Sequence, residues 1–399
     1  MRSICYSVHM AKVILGMSGG IDSSVTAHLM KRQGFEVAGV SMIMCEEENA
    51  QNLPACCSTG AIGEAARNAH HLGVKHTVID VREEFSQKVT KPFVTAYLAG
   101  LTPNPCVLCN RFIKFPALKR EADRQEAEYI ATGHYARVRP QGISGDQAAQ
   151  RSDGSRLHDA LFLEKGVDRK KDQSYVLYIL KQEELGKLML PLGGYRKEEV
   201  RKIAREINLP GAERDESQEI CFIENKQYIP FIEKHAHVAR NPGPIRDLHG
   251  NAIGTHRGIY GYTIGQRKGL GIASPFPLYV IQIDVRNNTI YAGPRDAAAS
   301  REFLVSTLNW IIDPLHIRSM EEGVRNGFMS SEKPVNTTFR ASVKVRSTMK
   351  EQPAVIHIAD IDAHGTVRVV FDEPQWAPAP GQSAVFYHGD IVIGGGVII

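Results

Sequence analysis

Short apolar runs alternate with amphipathic segments from residue 11 to about residue 135. The runs at 13–15, 35–44 and 76–81 are rich in Val, Ile, Leu, Ala and Met and are too short for buried helices, so they predict strands. The segment 114–128 spaces its apolar residues as one face of a helix does. Strands that alternate with helices predict a parallel, doubly wound α/β sheet. In such a sheet, ligands bind beyond the carboxyl ends of the strands.

The pattern changes near residue 226. Between Pro242 and Gly293 glycines are frequent and short runs alternate apolar with polar positions, which predicts a small β-rich domain. From about Arg301 onward, five short apolar runs separated by turns predict a small β-barrel. These runs lie at 339–345, 354–358, 366–371, 383–387 and 391–393. We therefore expect three domains, at 1–226, 227–298 and 299–399.

The composition is that of an ordinary globular protein, with 399 residues, of which 43% are hydrophobic and 23% charged. No apolar run approaches the roughly 18 to 20 residues of a membrane span, and residues 1–10 are too short and mixed for a signal peptide, so we expect a cytoplasmic protein without membrane contact. The net charge of +4 is compatible with a polyanionic partner without establishing one. The seven cysteines are odd in number and unevenly spaced, which argues against a secreted disulfide framework.

The segment 16–24 carries the most specific signal. It reads Gly-Met-Ser-Gly-Gly-Ile-Asp-Ser-Ser and joins the apolar run 13–15 to a helical pattern that stops at Gly34. Glycines allow a tight turn, and a helix amino terminus offers unpaired N–H groups, so an anion is expected here. The Lys-Ser/Thr of a Walker loop is absent. Ser-Gly-Gly-x-Asp-Ser is instead typical of enzymes that split ATP between the α and β phosphates, although a Gly/Ser turn in an ordinary α/β unit is the plainer alternative.

The cysteines supply the second signal. Cys106 and Cys109 form a C-x-x-C pair within 101–110, a loop that two prolines around an asparagine hold extended. A single C-x-x-C is weak evidence for zinc, because closed zinc sites use four ligands, and a redox or sulfur-handling role fits better. Cys221 lies in a polar, acidic segment rather than an apolar run. We therefore expect Cys109 and Cys221 to share a chemical role.

Taken together, eight motifs in order along nearly the whole chain resemble the tRNA-specific 2-thiouridylase family of bacteria and mitochondria. The motifs span 16–23, 102–105, 131–135, 171–175, 191–193, 217–223, 262–267 and 380–382. The resemblance implies that 1–226 is a pyrophosphate-loop adenylation and sulfurtransferase domain, that 227–298 contacts tRNA, and that 299–399 is the terminal barrel. It also implies ATP-dependent 2-thiolation of the wobble uridine, with Mg²⁺ as cofactor.

The resemblance assigns roles to individual residues. ATP is expected at Gly16, Met17, Ser18, Gly19, Gly20, Ile21, Asp22 and Ser23, with Met42 and Gly133 on the adenosine side. A persulfide on Cys221, delivered by a sulfur carrier or cysteine desulfurase, is expected to supply sulfur. Cys109 is expected either to release sulfide from that persulfide or to resolve it as a Cys109–Cys221 disulfide.

The RNA-facing residues also follow from the resemblance. The target base is expected at Asn104, Pro105 and Cys106, and the tRNA, of the Lys, Glu and Gln acceptors, at His134, Lys171, Asp172, Gln173, Arg346 and Gln382. Taken alone, Lys-Asp-Gln would read as a solvated helix start capped by Asp172 or Ser174, and His134 as a strand-end histidine with a structural partner.

The chain departs from the family pattern at Cys106, where many members carry aspartate. Cys106, Cys109 and Cys221 would together suit a [4Fe–4S] cluster with one open iron, so a cluster is a hypothesis beside the persulfide relay. Arg346-Ser347 also replaces the usual Arg-Tyr. Two rival functions stay open: another adenylating enzyme, such as argininosuccinate synthase or an amidotransferase synthetase, and a non-enzymatic RNA-binding protein that retains a nucleotide fold.

Overall fold

The computed structural model describes seven segments of the chain. They are 10–45, 59–140, 161–212, 220–223, 227–314, 338–358 and 365–399. The chain forms two compact units, and each is described by itself. Unit 1 comprises the described parts of Met1–Ser86, Cys109–Ser174 and Gln182–Lys226, and unit 2 those of Gln87–Leu108, Tyr175–Lys181 and Gln227–Ile399.

Unit 1 is built on a parallel sheet of five strands: β1 (Lys12–Gly16), β2 (Glu36–Ile43), β3 (Lys75–Asp80), β4 (Tyr129–Ala131) and β7 (Leu188–Met189). Their order in the sheet is β3-β2-β1-β4-β7. An antiparallel hairpin pairs β5 (Ala136–Pro140) with β6 (Leu161–Lys165). Val13, Ile14 and Leu15 are fully buried because β1 lies at the centre of the sheet. The predicted parallel α/β sheet is confirmed.

Helices connect the parallel strands and cover the sheet. The α-helices of the described segments are α1 (Ile21–Arg32), α2 (Thr59–His71), α3 (Arg82–Phe85), α4 (Lys91–Leu98), α5 (Pro105–Cys109), α6 (Phe115–Arg124), α7 (Gln182–Leu185), α8 (Lys197–Glu206) and α9 (Tyr228–Ala236). One core cluster packs β1 against Ala27 and Met30 of α1 and Ala65 of α2. Another packs α1 against Val200 and Ala204 of α8, so α1 is held on two sides.

In the described segments, two π-helical turns interrupt runs of α-helix. Ser86–Thr90 joins α3 to α4, and Asn110–Lys114 joins α5 to α6. Such turns are rare and are often found at functional sites. The second turn follows Cys109 and ends at Lys114, which lines the cavity described below.

Unit 2 contains a four-stranded sheet and a closed barrel. The sheet has the order β10-β11-β8-β9, from β8 (Gly243–Arg246), β9 (Ala252–His256), β10 (Tyr279–Asp284) and β11 (Thr289–Gly293). The six antiparallel barrel strands are β12 (Ala299–Trp310), β13 (Thr338–Lys344), β14 (Gln352–His357), β15 (Val367–Trp376), β16 (Ser383–His388) and β17 (Ile391–Ile398). The pairing of β12 with both β15 and β17 closes the barrel. The predicted β-rich domain and barrel are confirmed.

The barrel has one strand more than the five apolar runs predicted. The additional strand is β12, the first of the barrel strands along the chain, and most of its positions remain partly or fully exposed. Glu302 and Leu304 are exposed on it while Val305 is buried, so it shows no sustained apolar alternation. Its place in the barrel is fixed by backbone pairing with two neighbours.

Within the described segments, no helix is both long enough and apolar enough to cross a membrane.

Candidate functional site

The loop between β1 and α1 forms an anion cradle at the carboxyl end of the central strand. Gly20 precedes the first residue of α1, and no side chain of the described residues caps that helix end. The first-turn N–H groups therefore keep their capacity to bind an anion, and the helix dipole adds partial positive charge. Gly19 has a φ of +80°, and a Cβ on it would lie 2.4 Å from the carbonyl oxygen of Ala61. Glycine is the residue that fits there.

Side chains around the loop hold its shape. Asn68 on α2 donates from Nδ2 to the carbonyl oxygen of Gly19 at 3.2 Å and to Oγ of Ser24 at 3.0 Å. Ser23 Oγ accepts from the N–H of Ser18 at 3.2 Å. Ser41 on β2 donates to the carbonyl oxygen of Met17 at 2.7 Å. The cradle is thus fixed before any ligand binds.

A cavity of about 220 Å³ opens beside this loop, within unit 1. Its lining combines the loop with the ends of β2 and β4 and with the π-helical turn. The lining residues are Gly16, Met17, Ser18, Asp22, Ser23, Val40, Met42, Met44, Lys114, Leu118, Thr132, Gly133, His134 and Gln173. Met42, Gly133, His134 and Gln173 are thereby brought together with the loop, whereas Gly19, Gly20 and Ile21 are not among the lining residues.

Gly133 allows β4 to approach the loop closely. A Cβ on Gly133 would lie 3.0 Å from the backbone nitrogen of Ser23 and 3.2 Å from Cβ of Asp22. These contacts are tighter than ordinary van der Waals packing, so a larger residue would push the segment after β4 away from the cradle. The position predicted on the adenosine side is therefore one that requires a small residue.

Asp22, in the first turn of α1, is held by two donors. Lys197 Nζ and the hydroxyl of Tyr135 each lie 2.7 Å from its Oδ1. Within the described residues, no hydrogen bond reaches Oδ2, and 32% of the side chain is exposed. Oδ2 is therefore accessible to a ligand of the cavity.

His134 is a neutral group in this cavity. Its Nδ1 lies 2.7 Å from Oγ1 of Thr132, and its ring stacks on Phe115 with centroids 6.1 Å apart. Burial, reinforced by the nearby Lys114 ammonium, lowers the pKa of His134 to about 3. The imidazole therefore carries no charge near pH 7, and any contact with RNA would be a neutral hydrogen bond or a stacking contact.

The segment Lys171-Asp172-Gln173 forms a fixed turn. Asp172 accepts hydrogen bonds from the N–H of Gly166, the N–H of Ser174 and the hydroxyl of Ser174. Gln173 pairs with Tyr135 through both its backbone N–H and its Oε1. Asp172 thus has the local capping contacts that the plainer interpretation expected, while Gln173 also lines the cavity. Their roles toward tRNA stay predictions.

The cysteines differ in exposure. In α5, Cys106 is exposed and Cys109 is 5% exposed, and in unit 1 Cys221 is half-buried. Phe222, next to Cys221, packs edge-on against Phe85 with centroids 5.3 Å apart. Among the described residues, none of these three cysteines forms a disulfide. No three His, Cys, Asp or Glu side chains of the described residues group as a metal site requires.

In unit 2, the predicted target-base loop is anchored to the barrel. The side chain of Asn104 accepts from the N–H of Val107 and also bonds Tyr175, whose hydroxyl donates to the carbonyl oxygen of Ser383 at 2.7 Å. Pro105 starts α5, where its fixed φ and missing N–H suit the first helical position. Asn104, Pro105 and Cys106 are therefore presented from a rigid turn.

Gln382 and Arg346 make structural contacts in the same unit. Gln382 Nε2 donates to the carbonyl oxygen of Thr102 at 3.0 Å. Arg346 Nη2 donates to the carbonyl oxygens of Ile264 and Ala377, and burial lowers the pKa of its guanidinium. Both side chains are at least partly engaged within the protein, and their predicted tRNA contacts remain untested.

Three family models match the chain in order. They are a tRNA methyl transferase HUP domain at residues 11–225, a tRNA methyl transferase PRC-barrel domain at 230–294 and an aminomethyltransferase beta-barrel domain at 300–398. The chain is also 44% identical over 390 residues to the tRNA-specific 2-thiouridylase MnmA 1 of Caldanaerobacter subterraneus subsp. tengcongensis, covering 97% of both chains.

The chain belongs to the tRNA-specific 2-thiouridylase family. The tRNA-specific 2-thiouridylase MnmA of Clostridioides difficile is 40% identical over 388 residues, which is 97% of this chain and 98% of that one. The corresponding protein of Acetivibrio thermocellus is 42% identical over 391 residues, covering 97% and 99%. The family resemblance inferred from the motifs is confirmed.

Sequence reasoning missed several side chains that build the site of this thiouridylase-family chain. The sequence patterns do not single out Asn68, Lys114, Phe115 or Lys197 as site residues. Each reaches the cradle or cavity through tertiary packing. For Lys197, the one signal in the sequence is a lysine in the first turn of a helix, where a positive charge is unfavourable.

Proposed function

We propose that this chain is a tRNA-uridine 2-sulfurtransferase that uses ATP to convert the C2 oxygen of the wobble uridine to sulfur. Identity of 40–44% to curated thiouridylases over 97% of the chain supports the reaction class. The observation that carries the proposal is the cavity that joins the cradle to Met42 and Gly133 at the carboxyl ends of β1, β2 and β4. Parallel α/β sheets bind ligands at this edge.

In the first step, the C2 oxygen of uridine attacks the α-phosphorus of ATP and pyrophosphate leaves. The first-turn N–H groups of α1 and the glycines of the loop suit the departing pyrophosphate. The cradle is braced by Asn68 and Ser41, so these donors need little reorganisation during the step. The C2 oxygen is then part of a phosphate ester and becomes a good leaving group.

Mg²⁺ would be held by phosphate oxygens of ATP together with Oδ2 of Asp22. Asp22 is the acidic residue among those that line the cavity, and the described residues offer no hydrogen bond to that oxygen. A hard divalent cation prefers such carboxylate and phosphate oxygens. When bound, it neutralises the charge that develops on the phosphates.

Sulfur is then supplied by a persulfide on Cys221, which a sulfur carrier or cysteine desulfurase provides. The terminal sulfur attacks C2 of the activated uridine, and AMP leaves with the former C2 oxygen. Cys109 then attacks the Cys221 sulfur, which gives a Cys109–Cys221 disulfide and 2-thiouridine. Alternatively, Cys109 first releases hydrosulfide, which attacks C2. Either route leaves the same disulfide, which an external thiol must reduce before the next turnover.

The [4Fe–4S] alternative has less support. Cys106, Cys109 and Cys221 all lie in described segments, yet these segments contain no cluster of three possible metal ligands. No group of three possible ligands among the described residues supports a cluster, and the persulfide route is the one we propose.

The substrate is a tRNA, of the Lys, Glu or Gln acceptors, whose uridine must leave the anticodon stack to reach the cavity. Asn104, Pro105 and Cys106 are proposed to receive that base. Lys171 and Arg346 suit phosphate oxygens, while Gln173, Gln382, Asp172 and the neutral His134 suit sugar and base edges.

The test is nucleoside analysis by mass spectrometry after incubation of the protein with unmodified tRNA, ATP, Mg²⁺ and a persulfide donor. We expect 2-thiouridine, which Cys221→Ser should abolish while ATP binding persists, because Cys221 is not among the residues that line the cavity beside the cradle. ATP–pyrophosphate exchange that depends on an amino acid would favour another adenylating enzyme, and no nucleotide turnover would favour an RNA-binding protein.

A further inference from the structure

Lys197 is a buried cation in an electrostatically unfavourable place. It is the first residue of α8, and 7% of its side chain is exposed. The amino terminus of a helix carries partial positive charge, so an ammonium group there is disfavoured, and burial adds a desolvation penalty. Glu198 and Glu199, in the same turn, follow the usual acidic preference. The stability of α8 therefore does not account for a lysine at this position.

Lys197 forms an ion pair with Asp22 of the phosphate cradle. Lys197 Nζ and the hydroxyl of Tyr135 both lie 2.7 Å from Oδ1 of Asp22, and Nζ lies 5.8 Å from the centroid of the Tyr135 ring. The backbone N–H of Lys197 donates to Oδ2 of Asp168 at 3.0 Å, which fixes the first turn of α8. Asp22 lines the cavity, whereas Lys197 and Tyr135 are not among its lining residues.

This ion pair offsets an electrostatic repulsion that a bound nucleotide would otherwise meet. A carboxylate beside a bound triphosphate repels it, and the repulsion is strong where the surroundings are partly desolvated. We propose that Lys197, assisted by Tyr135, is a positioning residue of the nucleotide site that neutralises Asp22 and fixes its Oδ1, so that the cradle accepts a polyphosphate. This inference rests on the proposed binding of ATP in the cavity.

The alternative is that Lys197 contacts the phosphates itself. A double-variant comparison separates the two roles, because neutralisation is needed only while Asp22 carries its charge. ATP affinity is measured by calorimetry in EDTA, so that no divalent cation bridges Asp22 to the phosphates. The variants are Lys197→Met, Tyr135→Phe and the double variant Asp22→Asn/Lys197→Met. Lys202→Met is the matched control, since Lys202 lies on the same helix and is 74% exposed.

We expect Lys197→Met to weaken ATP binding about tenfold or more, and Tyr135→Phe to weaken it less, because one charge is left uncompensated in the first case. The double variant should recover most of the loss, and Lys202→Met should match the wild type. If the Lys197→Met protein fails to fold while the double variant folds, the uncompensated charge of Asp22 causes the misfolding, and this outcome also supports the inference.

Three results would overturn the inference: a double variant that binds as weakly as Lys197→Met, wild-type affinity in Lys197→Met, or loss of folding in both proteins. If the wild-type protein itself binds no ATP with or without Mg²⁺, the proposed function fails first, and that outcome is distinguishable from the other three.

Discussion

Adjacent glycines in the cradle are predicted to tolerate alanine very differently. Gly19 has a φ of +80°, and a Cβ there would lie 2.4 Å from the carbonyl oxygen of Ala61 and 3.2 Å from Cβ of Glu64. Gly20 has φ −79° and ψ 166°, and among the described residues a Cβ there would meet only Oγ of Ser18, at 3.6 Å. The two glycines are equivalent in the sequence motif, whereas in the structure they differ in backbone conformation and in the space around them.

The magnitudes follow from these geometries. Alanine in the left-handed region costs about 1–2 kcal/mol, and relieving a backbone clash by shifting α2 costs roughly 1–3 kcal/mol more. Gly19→Ala should therefore lower the free energy of unfolding by about 2–5 kcal/mol. Gly20→Ala, in an extended conformation that any residue adopts, should be neutral or stabilising by up to about 1 kcal/mol, because alanine restricts the unfolded chain.

The assay is thermal unfolding of both variants without nucleotide, followed by circular dichroism. For a unit of this size, Gly19→Ala should unfold roughly 5–15 °C below the wild type, and Gly20→Ala within a few degrees of it. Equal melting temperatures for the two variants would refute the reasoning, since nothing else in the loop distinguishes them.

Two further predictions concern side chains around the cavity. Asn68→Asp replaces the amide donor that binds Gly19 and Ser24 with an acceptor. It should lower the free energy of unfolding in urea by about 1–3 kcal/mol. An unchanged urea midpoint would show that these hydrogen bonds do not support the loop. The pKa of His134 is lowered to about 3 from an unfolded value near 6.5, so the unfolded state binds the proton first and stability is lost as pH falls from about 6.5 toward 3. In acid titrations followed by circular dichroism, His134→Asn should reduce this loss of stability with falling pH. The control His249→Asn, at an exposed position, should leave the loss unchanged. If stability falls equally steeply with pH in the two variants, a buried neutral His134 is contradicted.

Much of the fold was predictable because its signals are local. The buried run at 13–15, the glycines that follow it and the alternation of strands with helices identify the parallel sheet without tertiary information. Strand β12 was missed because its side chains are mostly exposed and pairing with β15 and β17 determines its conformation. The π-helical turn at Asn110–Lys114 also has no pattern that distinguishes it from ordinary helix.

The cradle and its immediate neighbours were also predictable, because their signals are local in the sequence. The side chains that hold the cradle in place were not predictable. Lys197 is 175 residues from Asp22 in the chain, and their ion pair exists because α8 packs against α1. Gln382 donates a hydrogen bond to Thr102, which is 280 residues away in the chain. This contact forms because the N–H of Thr102, in the segment before α5, donates to the carbonyl oxygen of Pro380 in a turn of the barrel. Such contacts depend on the assembled fold, and periodicity carries no information about them.

The measurement that tests the central claim most directly is the fate of the uridine C2 oxygen. A tRNA carrying ¹⁸O at C2 of the wobble uridine is incubated with the protein, ATP, Mg²⁺ and a persulfide donor, and the AMP is analysed by mass spectrometry. Adenylation of C2 followed by sulfur transfer predicts one ¹⁸O in AMP for each 2-thiouridine formed. AMP without the label, or 2-thiouridine formed without AMP, would contradict the account.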